Sequence, residues 1–481
     1  MTTLNESAID QLSGHNFSRA LRVTMAALLL IGLCVVVPAA QASQSTYTRL
    51  VVRDSLGITG IGNVCILVRC STVESLGDPQ GQLFMIEIPS SLSALTSLLN
   101  ISILGLVDIE ADQVVQTQGA SAGPAPSYLN DTAPYSYYGS TVWHGYVYQP
   151  ANQLIRTATT QSSFKTAGSG VTIADIDTGV DPNHPVLKNS LVTGYDFTRN
   201  QSGGSEMNDV SSSAGSGSGN TETAQVSQST VAVLDQSTVA VLDGSPYAAF
   251  GHGTMTAGII HLVAPQAKIM PLKAFQASGT GYDSDILRAI YYAVGHGAKV
   301  INMSFNYTSY SQELANAVNY ATNSGVICVA AAGNSGEQVM VYPGGLKNVI
   351  DVASTSNTDI PSTFSNYGAP PVWLAAPGEG VMTIYPFGTY AAGWGTSFST
   401  PLVAGTTALM VSTYNMSASS GLSLKSLLAV SLKGSANLPS WEPQAANALA
   451  HTHQIPDPQM GHGRLDTYQA MQAWVSSLGL N

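Results

Sequence analysis

The sequence predicts an α/β domain built on a doubly wound, mostly parallel sheet with helices on both faces, preceded by a small α+β segment. Three observations carry this. From Val171 onward, apolar runs of strand length alternate with helical patterns; those runs are nearly continuous rather than alternating; and a stretch rich in Gly, Ala, Pro, Ser and Asn, from Gly119 to Pro134, separates them from an earlier and shorter set. Strands without polar alternation are buried on both faces, as in a parallel sheet covered by helices on each side.

The predicted strands are VTIADID at 171–177, AKIMPLKAF at 267–275, AKVINMSF at 298–305, VICVAAAGN at 326–334, NVIDVAST at 348–355 and VWLAAPG at 372–378. Helices fit between them. DSDILRAIYYAVGHG opens on Asp283 and Ser284, which suit a helix start, and closes on Gly297, which suits a helix end. Before the Gly119–Pro134 stretch, YTRLVVR and GQLFMIEIP read as strands, SSLSALTSLLN as a short helix and ILGLVDIEADQVV as a further strand. This earlier unit ends where the composition turns to that of an exposed linker.

The chain has 481 residues, enough for one large domain and a smaller one, and an apolar share of 44% fills a core. Charged residues are only 10%, against roughly 25% in ordinary soluble domains, so the surface is largely neutral and polar and suits an acidic habitat. A net charge of -12 with 17 Lys and Arg argues against a nucleic-acid partner, which needs a basic face.

Arg19 and Arg22, the uncharged run Val23–Val37, Pro38 and Ala40-Gln41-Ala42 together read as a secretory signal cleaved after Ala42. The run falls short of the roughly 20 residues of a membrane span, so an uncleaved anchor is the alternative, and no membrane association is expected after cleavage. Cys34 lies in that signal, and Leu33 before it is too large for lipoprotein processing. Cys65 and Cys70 are near enough in sequence to pair in an oxidising compartment, with two free thiols as the alternative. Cys328 reads as a buried small hydrophobe, and no Cys and His spacing suggests a metal site.

A low-complexity stretch from Gly203 to Thr223 is followed by QSTVAVLD twice in tandem, from Gln228 and from Gln236. Two short copies make no solenoid. They read as an extra sheet edge or hairpin, or as a duplication in a tolerant loop.

Three short segments carry candidate chemistry, each at the end of a predicted strand or following one, where open α/β sheets place ligands. The first is Ile176-Asp177-Thr178-Gly179. Asp-Thr-Gly also occurs in aspartic proteases, but these need a second copy to build a carboxylate pair, and the chain has none. The second is GHGTMTAGII from Gly251, in which glycines flank His252. The third is GTSFSTPLVAGTTALMV, with Ser397 just before an apolar, buried helix whose first turn suits Pro401. Singly these are a strand-end acid, a structural histidine and a helix cap. Together their order is Asp, His, Ser.

That order and the motifs IDTG, GHGTMTAG and GTSFSTPLVAG resemble the signatures of the subtilisin-like (peptidase S8) family, from about Trp143 to the closing GHGRLDTYQAMQAW. AAAGNSG is similar to the family segment whose Asn donates to the oxyanion, here Asn334. The resemblance implies a secreted serine endopeptidase with Asp177, His252 and Ser397 as its triad, acting on peptides or unfolded proteins. It implies no cofactor for the chemistry, and a precursor of three parts: a signal at 1–42, an inhibitory prosegment at 43–125 and a catalytic domain at 126–481. A protease that cleaves only its own precursor and a non-catalytic binding protein of this fold are the alternatives.

The sequence departs from the family in places. Asp175 stands where an apolar residue is usual, as a neutral buried acid or a partner for a neighbour. Val186-Leu187 replaces an Asp-Leu pair whose Asp often binds calcium, which leaves structural calcium open. Ser304, Phe305 and Asn306 replace the Ser-Leu-Gly of the substrate cleft, and Val341 stands at the expected pocket floor, which predicts a medium apolar residue before the scissile bond.

Overall fold

A computed structural model describes residues 47–95, 105–116, 123–210, 248–368, 372–416 and 463–477, with 232–233, 450–451 and Gly461. The signal, residues 211–223 of the low-complexity stretch and most of the tandem repeat lie outside the described residues. The chain divides into two compact units: one holds the described residues up to Glu74 with Phe84–Ile109, the other Ser75–Leu83 and the described residues from Glu110 onward.

In the first unit, strands β1 (Tyr47–Asp54), β2 (Thr72–Ser75), β3 (Leu83–Pro89) and β4 (Leu106–Ala111) form a sheet in the order β2-β3-β1-β4. Helix α1 (Ile58–Val68) buries Ile61, Val64 and Val68 in a core with Leu50, Val52, Phe84, Ile86, Ile88 and Leu106. The sequence reading missed α1, because ITGIGNVCILV interrupts its apolar positions with two glycines and β-branched residues, all poor helix formers. Burial at positions three and four apart outweighs that propensity. Of the helix expected over 90–100, Ser90–Leu95 is a 3₁₀ segment and 96–100 lie outside the described residues. Cys65 and Cys70 form a disulfide.

The second unit carries a ten-stranded sheet. Its parallel run is, in order, Gly194–Asp196, β7 (Lys268–Lys273), β6 (Thr172–Asp177), β9 (Val300–Met303), β10 (Ile327–Ala331), β11 (Val349–Thr355), β12 (Leu374–Pro377) and β13 (Arg464–Leu465). Gln201–Gly203 and Ala450–His451 pair antiparallel at the two edges. All six strands expected from the sequence are present. A separate pair joins β5 (Val114–Gln116) antiparallel to β8 (Thr280–Tyr282).

Helix α2 (His252–Val263) follows β6 in the chain, α3 (Asp283–Gly295) follows β8, and α4 (Gln312–Asn323) joins β9 to β10. Helix α5 (Thr396–Met416) packs against α2 and against β9, β10, β11 and β12. Every residue of α2 is buried, its polar His252, Thr254, Thr256 and His261 included. Because β6 is flanked by β7 on one side and β9 on the other, successive crossovers leave it in opposite directions. The crevice at its carboxyl end is therefore the switch point of the sheet.

Of the expected linker, 119–122 lie outside the described residues, and from Gly123 the chain is mostly exposed. Leu129 anchors it in the core at 1% exposure, and Tyr128 donates to Gly380 O at 2.5 Å. Within the tandem repeat, Ala232–Val233 adds an antiparallel edge to Thr389–Gly393. Cys328 is fully buried, and burial pushes its thiol up to about 12.

Candidate active site

Asp177 closes β6 and His252 opens α2, and glycines let the two ends meet. A Cβ on Gly253 would lie 2.1 Å from Gly179 O, so no other residue allows this approach of helix to strand end. Gly251 has φ +87, and a Cβ there would strike the Tyr385 ring at 2.3 Å. With the two ends this close, His252 Nδ1 lies 2.7 Å from Asp177 Oδ1 and 2.9 Å from Oδ2. Thr178 N–H donates to Asp177 Oδ1 at 2.6 Å. Burial, the largest single influence on His252, lowers its pKa, but the charge and hydrogen bond of Asp177 raise it above the ordinary value.

Ser397 is the second residue of α5 rather than a residue before it, and Pro401 lies inside the helix rather than in its first turn. Pro401 has no N–H to give to the carbonyl four residues back, that of Ser397. Ser304 supplies the missing donor: its Oγ donates to Ser397 O at 3.0 Å, while Ser397 Oγ donates to Ser304 O at 3.0 Å. Among the described residues that is the hydrogen bond Ser397 Oγ makes, and it makes none to His252. The ring of Phe398, the next residue, has its centroid 5.8 Å from that of His252.

Asn334 is fixed from its oxygen end. Thr396 gives both its N–H and its hydroxyl to Asn334 Oδ1, each at 2.9 Å, which settles the amide orientation. The NH₂ is then the end able to donate to an oxyanion, beside Ser397 N–H in the first turn of α5, where no intrahelical acceptor exists. Ser304, Phe305 and Val341 are all buried; Phe305 packs on Phe275 with ring centroids 4.9 Å apart.

Five residues that the sequence reading did not single out complete the site. Glu206 is fully buried; it accepts from Gly251 N–H at 2.7 Å, from Thr178 Oγ1 at 3.2 Å and from the Thr254 hydroxyl. It thereby ties the loop after Asp177 to the residue before His252, and burial pushes its carboxyl up to about 8. Lys273, also buried, donates to Thr178 O, Phe275 O and Asp209. Thr256, one turn after His252, and Asn302, two residues before Ser304, both bond to Asp175. Thr396 holds Asn334. Only the positions of Thr256 and Asn302, one turn or one strand repeat from flagged residues, offered a signal in sequence. Among the described residues no group of three or more His, Cys, Asp or Glu could hold a metal.

Segment 110–116 lies against this unit. Glu110 accepts from Ser311 Oγ and Gln312 N–H at the start of α4, both at 2.6 Å. Asp112 accepts from Ser284 N–H and Oγ at the start of α3, both at 2.9 Å. Between them Asp283 is pushed up to about 7, by burial first, with the charges of Asp112 and Glu110 adding to it.

A buried Asp–His pair, a serine in the first turn of a buried helix and an oriented amide beside it define the class of acyl-transferring serine hydrolases. Residues 168–463 match the Subtilase family, Peptidase_S8. Thermitase of Thermoactinomyces vulgaris is 37% identical over 255 residues, 51% of this chain and 76% of the relative. A thermophilic serine proteinase of Bacillus sp. (strain AK1) is 35% identical over 300 residues, 60% and 62% of the two chains. Subtilisin Savinase of Lederbergia lenta is 41% identical over 169 residues, 33% and 62%. The chain belongs to the subtilase family and is a subtilisin-like serine endopeptidase.

Proposed function

We propose that this endopeptidase hydrolyses peptide bonds through an acyl-enzyme on Ser397, and that it is made as a secreted precursor. The observation that carries the catalytic reading is the Asp177–His252 contact at 2.7 Å, which leaves Nε2 as the imidazole nitrogen for proton transfer. Turning about its Cα–Cβ bond, Ser397 exchanges Ser304 O for Nε2. Its Oγ then bonds to the substrate carbonyl carbon while the proton passes to His252 Nε2. The carbonyl electron pair moves to the oxygen, held by Asn334 and Ser397 N–H. As the tetrahedral species collapses, the same proton goes to the leaving amine. Water repeats the sequence on the acyl-enzyme, with Asp177 stabilising the imidazolium in both halves. No cofactor enters these steps.

The precursor reading is supported by segment 110–116. β5 pairs antiparallel with β8, the way an extended peptide adds to a sheet edge. Glu110 and Asp112 place carboxylates at two helix N-termini, where the helix dipole favours negative charge. Residues 43–125 are therefore the removable segment, cut away within or near 119–134 after the signal directs secretion. Among the described residues no helix is long and apolar enough to cross a membrane.

Ser397→Ala tests both halves of the reading. Casein hydrolysis should fall by about 10⁶-fold, the loss established for subtilisin, a relative, and a precursor that retains 43–125 should accumulate. Undiminished hydrolysis would remove Ser397 from the mechanism. Mature active enzyme that still begins near Ser43 would make the segment a resident domain.

A further inference from the structure

Asp175 is the buried acid that the mechanism above does not use. It is 1% exposed and shares with Asp177 one face of β6, two residues apart. Its Oδ1 accepts from Asn302 Nδ2 at 2.8 Å, and the same Nδ2 donates to Ser304 Oγ at 3.0 Å. Ser304 Oγ in turn supports Ser397 O, the carbonyl that Pro401 leaves without a helical donor. On its other side Asp175 Oδ2 lies 2.9 Å from Thr256 Oγ1. Thr256 Oγ1 is also 3.0 Å from Gly253 O and 3.5 Å from Asp177 Oδ2. One acid thus touches a chain leading to the nucleophile and a hydroxyl leading to the base.

Hydrogen-bond accounting favours one form of this acid. A threonine hydroxyl has one proton. Gly253 O can only accept, and the 3.0 Å contact within α2 is one that Thr hydroxyls in helices commonly make. A neutral carboxyl satisfies both contacts, donating to Thr256 Oγ1 while Thr256 donates to Gly253 O; an ionised one must share the single hydroxyl proton with Gly253 O. Among the described residues, an ionised Asp175 would have as partners only that shared hydroxyl and the Asn302 amide, both neutral.

We propose that Asp175 is a positioning residue held as a neutral carboxylic acid, donating to Thr256 and accepting from Asn302, so that the Asp177–His252 pair and the Ser397 turn are set by one buried network. This rests on the proposed roles of Asp177, His252 and Ser397. The ionisable groups around it agree. On its own strand Asp177 is a second carboxyl, and on α2 His252 faces that carboxyl. Glu206 lies across the Thr178 loop, and Lys273 at the end of β7 is engaged by Thr178 O, Phe275 O and Asp209. β9 and the first turns of α5 carry no ionisable side chain. Among the described residues no cation bonds to Asp175, and burial, with the charge of Asp177 adding to it, pushes it up to about 8. With Asp175 neutral, Asp177 is the single negative charge bonded to His252.

The test uses the mature enzyme on a chromogenic peptide, with kcat expressed per active site titrated by a serine-directed reagent. Asp175→Asn keeps one acceptor and one donor in place, so kcat should stay within about three-fold and the acid-limb midpoint of kcat/KM should not move. Asp175→Val removes both contacts and should lower kcat about ten-fold or more with KM little changed, because a small misplacement at the nucleophile is costly. An acid-limb midpoint that drops by about one pH unit in Asp175→Asn would show that the native residue carries a charge beside His252, and the proposal falls. Equal kcat per titrated site in Asp175→Val and the native enzyme would equally overturn it. Failure of the underlying triad reading would show separately, as persistent hydrolysis by Ser397→Ala.

Discussion

Beneath the Asp177–His252 pair, Asp175 and Glu206 are acids packed among hydroxyls, an amide and one backbone N–H; at the starts of α3 and α4, Glu110 and Asp112 are acids packed against backbone N–H groups and the serine hydroxyls beside them. The chemistry of the side chain is the same in both places. What differs is the field around it. A helix N-terminus offers positive partial charge and stabilises the anion, whereas a hydroxyl can turn and accept a proton as readily as donate one. Where burial outweighs the field the neutral acid is favoured: among the described residues Glu206 meets one backbone N–H, that of Gly251 before α2, Asp175 meets none, and both are pushed up to about 8. Asp283 belongs to both worlds: it starts α3, yet it is boxed in by Asp112 and Glu110 and is pushed up to about 7.

The widest test of this contrast is the dependence of stability on pH. Asp175, Glu206 and Asp283 hold protons in the folded state that the unfolded chain releases above about pH 4 to 4.5. The folded state therefore binds more protons between that pH and 7 to 8, and stability falls as pH rises through the interval. His252, raised when folded, acts in the same direction, its contribution complete below its unfolded value near 6.5 and lost as pH climbs through the folded one. His261 opposes, since burial lowers it to about 4 and its contribution is lost as pH falls below 6.5. From pH 6.5 to 8.5 only the destabilising trend remains among these groups. Each acid that keeps its proton adds a slope of at most about 1.4 kcal/mol per pH unit. Calorimetry on Ser397→Ala, which cannot digest itself, should show Tm falling across this window. A flat or rising Tm would mean the acids are ionised and paired in the folded state.

How far these acids were legible in the sequence depends on what makes them matter. The strands of the sheet were readable because continuous apolar runs have one physical cause. Asp177, His252, Ser397 and Asn334 were singled out because their motifs stand at strand ends and helix starts, and the structure brings His252 Nδ1 to within 2.7 Å of Asp177. Asp175 stood out as an acid in an apolar strand. Glu206 did not, because nothing in GSEMNDV says that its carboxylate will meet Gly251 N–H and Thr178 across the fold. Ser304 was read as part of a cleft, whereas its hydroxyl replaces the donor that Pro401 lacks, a relation between residues almost a hundred positions apart. The helix α1 was hidden by its glycines.

Glu206 gives a sharper break, confined to one side of the comparison. Glu206→Ala leaves Gly251 N–H and two threonine hydroxyls buried without their acceptor, at roughly 1–3 kcal/mol for each unsatisfied group. The expected destabilisation is about 3 kcal/mol or more, read as a lower midpoint in urea at unchanged m. Glu206→Gln keeps an acceptor oxygen and should cost about a third of that or less. A Gln variant as unstable as the Ala variant would show that the carboxylate charge, held by Lys273, is what matters here, and the neutral-acid reading of this side would fail.

The smallest effect belongs to the other side. Glu110→Gln and Asp112→Asn keep the shape and an acceptor oxygen while removing the charge, so each should lose only the helix-dipole part of the contact, about 0.3–1 kcal/mol. Added in trans to mature enzyme, the isolated 43–125 segment should inhibit, and each substitution should weaken that inhibition by about two- to five-fold, more at low salt than at high salt because the gain is electrostatic. The two sides then separate by pH. Asp283 ionises as pH rises through about 7, facing Glu110 and Asp112, so native segment should bind less tightly at pH 8 than at pH 6. The doubly substituted segment, having no charge to oppose, should lose most of that dependence. A substituted segment that keeps the full pH dependence would place its origin elsewhere than in these three carboxyls, and the contrast between a dipole-held anion and a burial-held acid would not account for how the segment binds.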